Sequence, residues 1–272
     1  MSQGPVPLRP SPVRRMLADA ARAWNMPQRG VLEIWIAPFL IALSGAATAL
    51  GGKQLYKWFT GEDGFAETMQ VVFYTLALVF CMFVVNKLWQ SGRRTIAALY
   101  VLVALGLVFM LGEELSWGQR IWGWDTPETM RELNKQEETN LHNIYGVGST
   151  FKWLQLVVGA YGTLLPLMVW KLQGLQRFRG FLDRIVPHYS LIPYFVMLFV
   201  WRIYRNVFDP PRQLYFVVSE YNEVLELVLA MGFFLFMVFQ LRSLQREAQS
   251  QREQLERQLR THVDPEITRL AS

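Results

Sequence analysis

Thr95-Ile96-Ala97-Ala98-Leu99-Tyr100-Val101-Leu102-Val103-Ala104-Leu105-Gly106-Leu107-Val108-Phe109-Met110-Leu111 carries no charge, and Gly112-Glu113-Glu114-Leu115-Ser116-Trp117-Gly118-Gln119-Arg120 follows it directly. As a helix the apolar part covers about 26 Å, close to the roughly 30 Å hydrocarbon core of a bilayer. Two adjacent carboxylates and an arginine then close the run. Such groups cost several kcal/mol in hydrocarbon, so their place at the end of a span marks a functional region.

Five further apolar runs, at 31–50, 66–88, 151–172, 189–204 and 214–241, give about six candidate spans. Over 272 residues the chain is 52% hydrophobic, too apolar for a soluble domain. Pro38 and Pro166 fall inside two runs, where neighbouring helices can satisfy the freed carbonyls. The run at 189–204 is the shortest, with Pro193 near its start and Arg202 near its end, whose guanidinium can snorkel. The expected fold class is all-α, a polytopic membrane helical bundle. It divides into an N-terminal tail with a short amphipathic helix (1–30), the bundle (31–241, with an outer loop at 112–150) and a helical tail (242–272). The single cysteine, Cys81, lies in an apolar run, which excludes an intrachain disulfide and a thiolate metal cluster.

The net charge of +5 is spread over loops and tails rather than massed in a patch, which argues for topology and against nucleic acid. The N-terminal tail holds five Lys or Arg, the second-to-third connection three, the fourth-to-fifth four and the C-terminal tail six, so eighteen of 27 share one side. The positive-inside rule makes that side cytoplasmic, with both termini on it, in a bacterial inner membrane. No apolar core of signal-peptide length occurs in 1–30, so no cleaved leader is expected. Pro5, Pro7, Pro10 and Pro12 keep the first dozen residues extended. Ser11 then caps a helix with Pro12 at its first position. Val13, Met16, Leu17, Ala20, Ala21 and Trp24 share one face, as in a helix lying among lipid headgroups; a solvated tail is the alternative. Beyond Leu241, Leu244, Ala248, Leu255 and Leu259 recur at near-heptad spacing. That tail is a solvated continuation of the last span or an arm for a protein partner or self-association.

This topology gathers the unusual polar groups at the outward face. The second span enters after Glu62-Asp63-Gly64 with Glu67 in its first turn, and the third exits into Glu113, Glu114, Ser116 and Arg120. The fifth exits through Arg202, Arg205 and Asn206, and the sixth enters through Glu220, Asn222, Glu223 and Glu226. Glu226, about 18 Å along the last span, is expected to face the bundle interior. The plainer reading is that the arginines and carboxylates pair to hold helices together.

If the third helix continues past the hydrocarbon edge, Glu113, Ser116, Trp117, Arg120 and Trp124 share a face. Thr126 and Pro127 then open a second helix over about 126–145, completing an interfacial helix pair over the site. On that helix Asn134, Glu138 and His142 are four apart and line one side. Glu114, Glu138 and His142 are accordingly a candidate ligand set for a divalent metal, Zn, Mn, Fe or Ca, with a sixth-span carboxylate completing it. A serine nucleophile, Ser116 activated by His142 and oriented by Glu113, is a further possibility.

At these residues the chain resembles a group of uncharacterised bacterial multi-pass inner-membrane proteins. They share an EDGxxE block (Glu62 to Glu67), a GEExSWGQR block (Gly112 to Arg120) and an NLHN block (Asn140 to Asn143). The acidic cluster of Glu62, Asp63 and Glu67 is also similar to that of the superfamily of alkaline ceramidases and progestin-type receptors. Those are seven-span proteins with zinc held by intramembrane histidines. This chain has Glu220, Glu223 and Glu226 on its last span where that superfamily has paired histidines.

Three functions follow as expectations. The first is a metal-assisted hydrolase or transferase acting on a lipid or lipid-linked substrate. In it Glu113, Glu114, Glu138, His142, Glu223 and Glu226 do the chemistry, and Glu62, Asp63, Glu67, Ser116, Arg120, Asn140, Asn143, Arg202, Arg205 and Glu220 bind the substrate. The second is a non-catalytic subunit or assembly factor of a membrane complex. The third is a transporter or proton relay through Glu226, against which stands the absence of an internal repeat.

Overall fold

The computed structural model describes residues 11–61, 63–134, 137–208 and 210–270, with side chains to Leu259. The expected site residue Glu62 and the prolines at 5, 7 and 10 lie outside these. Among the described residues there are eleven α-helices, with short 3₁₀ turns in five of the connections: α1 (Pro12–Trp24), α2 (Gln28–Thr48), α3 (Lys53–Thr60), α4 (Phe65–Gln90), α5 (Arg94–Glu114), α6 (Gln119–Trp122), α7 (Glu128–Leu133), α8 (Gly148–Lys171), α9 (Arg179–Ile185), α10 (Ile192–Val207) and α11 (Tyr215–Leu270). Among the described residues no strand forms; a lone antiparallel bridge joins Asn134 and Ile144.

Five stretches, Gln28–Gly51, Lys53–Gln90, Arg94–Glu114, Gly148–Lys171 and Arg212–Leu259, are long and apolar enough to cross a membrane. The expected fifth span is the sixteen-residue α10, about 24 Å long, with Pro193 in its first turn. The sequence pattern did not separate α3 from its neighbours. Gly52 turns the chain with φ +94°, and α3 docks through its buried Tyr56, whose hydroxyl donates to the Val217 carbonyl at 2.5 Å.

α11 is the central element, packed against α4, α10 and α2, with α5 behind α4 and α8 behind α10. Residues 224–230 are buried on all sides, which only a helix enclosed by others allows. Small residues set the close approaches: a Cβ on Gly45 of α2 would stand 2.7 Å from the Val224 methyls, and one on Gly162 of α8 would overlap the Phe195 ring.

Contacts define two ends. At one lie α1, the start of α5, α9 and the part of α11 beyond residue 240, tied by Arg93 and Arg184 to Glu247 and by Arg246 to the Arg22 and Ala23 carbonyls. At the other lie α3, residues 63–64, 115–134 and 137–147 and the start of α11. α1 begins as expected: Ser11 Oγ accepts from the Arg14 amide at 3.3 Å, with Pro12 next. Its apolar face is divided: Val13 is 62% exposed, and Met16, Leu17 and Ala21 are half-buried. Ala20 and Trp24 are buried on the bundle, and Trp24 Nε1 donates to Ser190 Oγ at 2.9 Å.

Candidate functional site

α5 stops at Glu114, and Ser116 (φ 46°), Trp117 (φ 52°) and Gly118 (φ 100°) turn the chain through left-handed conformations. The expected continuation to Trp124, with Glu113, Ser116, Trp117, Arg120 and Trp124 on one face, does not form. Left-handed backbone costs a residue with a Cβ about 1–2 kcal/mol, so contacts must hold it. They do: Trp117 Nε1 donates to Glu113 Oε1 at 2.7 Å, Ser116 Oγ to Glu138 Oε2 at 2.6 Å, and the Thr139 hydroxyl to the Ser116 carbonyl.

The second expected helix, over 126–145, is also shorter. α7 ends at Leu133, and Asn134 turns extended to pair with Ile144. Asparagine competes with the helix for backbone groups. Asn134 Nδ2 donates to both the carbonyl and Oδ1 of Asn140, at 2.7 and 2.9 Å. Thr126, instead of capping, gives its hydroxyl to the Glu137 carbonyl. Asn134, Glu138 and His142 therefore share no helix face.

Glu113 and Glu114, adjacent on one helix, point about 100° apart into two clusters that adjoin through Glu67 and Arg120, whose Nη1 donates to the Glu114 carbonyl at 3.0 Å. Glu113, buried, latches the loop: its Oε2 accepts from the amides of Leu141 and His142, both at 2.8 Å, and from His142 Nδ1 at 3.1 Å. Beside it Glu138 accepts from Ser116 and from Asn140 Nδ2 (2.6 Å). Arg120 joins this loop to α4, with Nη1 2.6 Å from Glu67 Oε1, Nε 3.4 Å from Asp63 and Nη2 3.7 Å from Glu138. Burial pulls the Arg120 pKa down, and the carboxylates of Glu67, Glu138 and Asp63 more than offset that, holding it above its ordinary value. Arg120 is a permanent cation neutralising three acids.

The second cluster lies inside the bundle between α4, α5, α8, α10 and α11. Glu226 accepts from Gln155 Nε2 at 2.7 Å and from Asn222, and its Oε1 is 3.6 Å from Arg202 Nη2. Glu223 accepts from Gln70 Nε2 at 3.1 Å. Glu114 reaches in from α5 within electrostatic range of both, and its carboxylate accepts no hydrogen bond among the described residues. Gln70 Oε1, Gln155 Oε1, Arg202 Nε, Arg205 Nη1 and Asn222 Oδ1 are buried without a partner. Buried polar atoms are paired in the great majority of cases, so the four orphans on Gln70, Gln155, Arg202 and Asn222, side chains that meet Glu223 or Glu226, form a concentration of open hydrogen-bonding capacity.

The structure thus divides the expected site. Glu113, Ser116, Asn140, His142 and Glu138 form the latch, joined through Arg120 to Asp63 and Glu67, while Glu114, Glu223, Glu226 and Arg202 form the chamber; Arg205 instead lies over the Tyr215 ring at the start of α11. Asn143 makes no hydrogen bond to either among the described residues, and Glu220 faces Tyr56 and Lys57 of α3. The expected metal set is dispersed, with His142 on Glu113, Glu138 on Ser116 and Glu114 in the chamber. Among the described residues no three His, Cys, Asp or Glu side chains are grouped to hold an ion. The Ser116–His142 pair is not formed either, since Ser116 bonds Glu138. Gln70 and Gln155 were missed, although each is a lone amide at helical spacing inside an apolar run and Gln70 lies three residues past Glu67. Comparison with family models, with curated proteins and with solved structures finds no match to this chain.

Proposed function

We propose that this chain is a six-span protein of the bacterial inner membrane, both termini cytoplasmic, whose chamber performs acid–base chemistry on a lipid or lipid-linked substrate at the outer leaflet. Hydrolysis or group transfer fits the residues. A carboxyl among Glu114, Glu223 and Glu226 donates a proton to the leaving oxygen, and a neighbouring carboxylate takes one from the attacking water or hydroxyl. Arg202 holds a phosphate or carboxylate headgroup. Six spans agree with α1 and the extension of α11 meeting at one end.

The observation that carries the reading is the set of unpartnered buried atoms on Arg202, Gln70, Gln155 and Asn222, whose side chains meet Glu223 and Glu226. Such atoms each cost about 1–3 kcal/mol unless a ligand meets them. The test is lipid mass spectrometry on protein reconstituted with an inner-membrane lipid extract, comparing wild type with Glu226→Gln and Arg202→Gln. A lipid-derived product that accumulates with wild type and not with either folded variant is expected. Neither product nor a co-purified lipid in the wild type would refute the reading.

The second reading is a non-catalytic subunit or assembly factor. Leu255 and Leu259, on the part of α11 beyond the bundle, are more than half exposed, as a docking arm requires. Removing residues 250–272 and recovering the protein from membranes discriminates: loss of a stoichiometric partner supports a subunit, and an unchanged complement counts against it.

A further inference from the structure

At the end opposite the acidic chamber, α1, the end of α8, α9 and α11 enclose a cavity of about 710 Å³. That is within the size range of small-molecule sites. Four arginines line it, Arg22, Arg179, Arg184 and Arg246, against the three carboxylates of Asp19, Asp183 and Glu247; Arg22 pairs with Asp19, Arg179 with Asp183 at 3.5 Å and Arg184 with Glu247, which leaves Arg246 as the surplus cation. Glu247 is further shared with Arg93, whose Nη1 lies 2.8 Å away. Arg246 faces no carboxylate among the described residues; its guanidinium donates only to the carbonyls of Arg22, Ala23 and Arg242. The cation surplus meets an apolar wall that includes Val169, Trp170 and Phe239. A basic pocket between helices, walled by apolar side chains, matches a ligand with an anionic head and a greasy body.

We infer that this cavity binds a phosphate-bearing ligand, with Arg246 and Arg179 as the cations that hold the phosphate. The same chemistry is offered by the headgroup of an anionic phospholipid and by free phosphate. The apolar wall favours the lipid.

Native mass spectrometry of the full chain in detergent tests this with three probes: short-chain phosphatidylglycerol, short-chain phosphatidylcholine and inorganic phosphate. Arg179→Glu is the informative variant, because the Arg179 side chain is 63% exposed and its loss leaves the core untouched. Arg94→Glu makes the same charge change outside the cavity. Wild type is expected to prefer phosphatidylglycerol to phosphatidylcholine by about tenfold, the worth of one charge-assisted contact. Arg179→Glu and Arg246→Gln abolish that preference, while Arg246→Lys and Arg94→Glu keep it. Binding of inorganic phosphate without a preference between the lipids, lost in Arg179→Glu, supports the phosphate site and identifies free phosphate as its ligand. Equal binding of both lipids with no phosphate bound overturns the inference, as does an equal loss in Arg179→Glu and Arg94→Glu.

Discussion

Replacing Glu113 with glutamine tests the latch at its centre. The carboxylate accepts from Trp117 Nε1 on one oxygen and from two amides and an imidazole on the other. Glutamine keeps the shape but presents only one oxygen. Aimed at the Leu141 and His142 amides, it sets its own NH₂ against the Trp117 indole N–H; reversed, it sets NH₂ against both amides. The first arrangement is the cheaper. It loses the indole bond and weakens three charge-assisted bonds, at roughly 1 kcal/mol or more each, while relieving the burial of a charge. The net cost is about 3 kcal/mol, concentrated in the loop rather than the bundle. Every 1.4 kcal/mol is tenfold in an opening constant, so the Leu141 and His142 amides exchange hydrogen roughly a hundredfold faster in Glu113→Gln. Hydrogen exchange read by mass spectrometry on peptides covering 137–147 measures it, with peptides from α4 and α11 as internal references. Unchanged protection at 141–142 would show that Glu113 does not fasten the loop; equal acceleration everywhere would show global destabilisation instead.

Arg120→Gln leaves Glu67 and Glu138 without their cation and is expected to cost about 3–5 kcal/mol. Adding Glu67→Gln recovers part of that loss, whereas strict additivity of the two in thermal unfolding would deny the coupling. Gly162→Ala drives a methyl into the Phe195 ring and lowers stability by roughly 1–3 kcal/mol, while Gly106→Ala, with open space beside it, changes stability by less than about 1 kcal/mol. Thermal midpoints in detergent compare the pair. The pKa of His188 is pushed down to about 4 from 6.5, by burial first and by Arg179 second. The unfolded chain therefore takes up a proton that the folded chain refuses. Stability is full above pH 6.5 and falls as pH drops toward 4, by roughly 3 kcal/mol. His188→Asn is expected to flatten that slope in denaturation curves across pH 4–7, and an unaltered slope would refute the assignment.

Apolar run length alone placed α2, α4, α5, α8 and the start of α11 to within a few residues, because crossing a bilayer demands length and little else. Ser11-Pro12 announced the start of α1 through local capping chemistry. The loop after Glu114 was misread for a physical reason. Ser116 and Trp117 have no local preference for left-handed backbone; they are held there by Glu113, Glu138 and Thr139, and the partners at 138 and 139 are more than twenty residues away in sequence. Glu138 and His142 stand four apart, and that spacing counts only on a helix, which Asn134 and Asn140 dissolve. The chamber was half legible. Glu223, Glu226 and Arg202 drew attention as charges in apolar surroundings, whereas Gln70 and Gln155, neutral and single, were hidden until α4 packed on α11 and α8 on α10, bringing them to the α11 carboxylates.

α11 runs without a break from the chamber to the cavity, and Glu226 and Arg246 stand about 30 Å apart along it. A helix of this kind twists and stretches little, so it behaves as a shaft. Turning it enough to carry Glu226 away from Arg202 swings Arg246 off the carbonyls that hold α1, and a push at the α1 end returns as torque on the carboxylates. Linkage makes any such coupling reciprocal: the factor by which a ligand at one end changes affinity at the other is the factor by which the other acts back on the first.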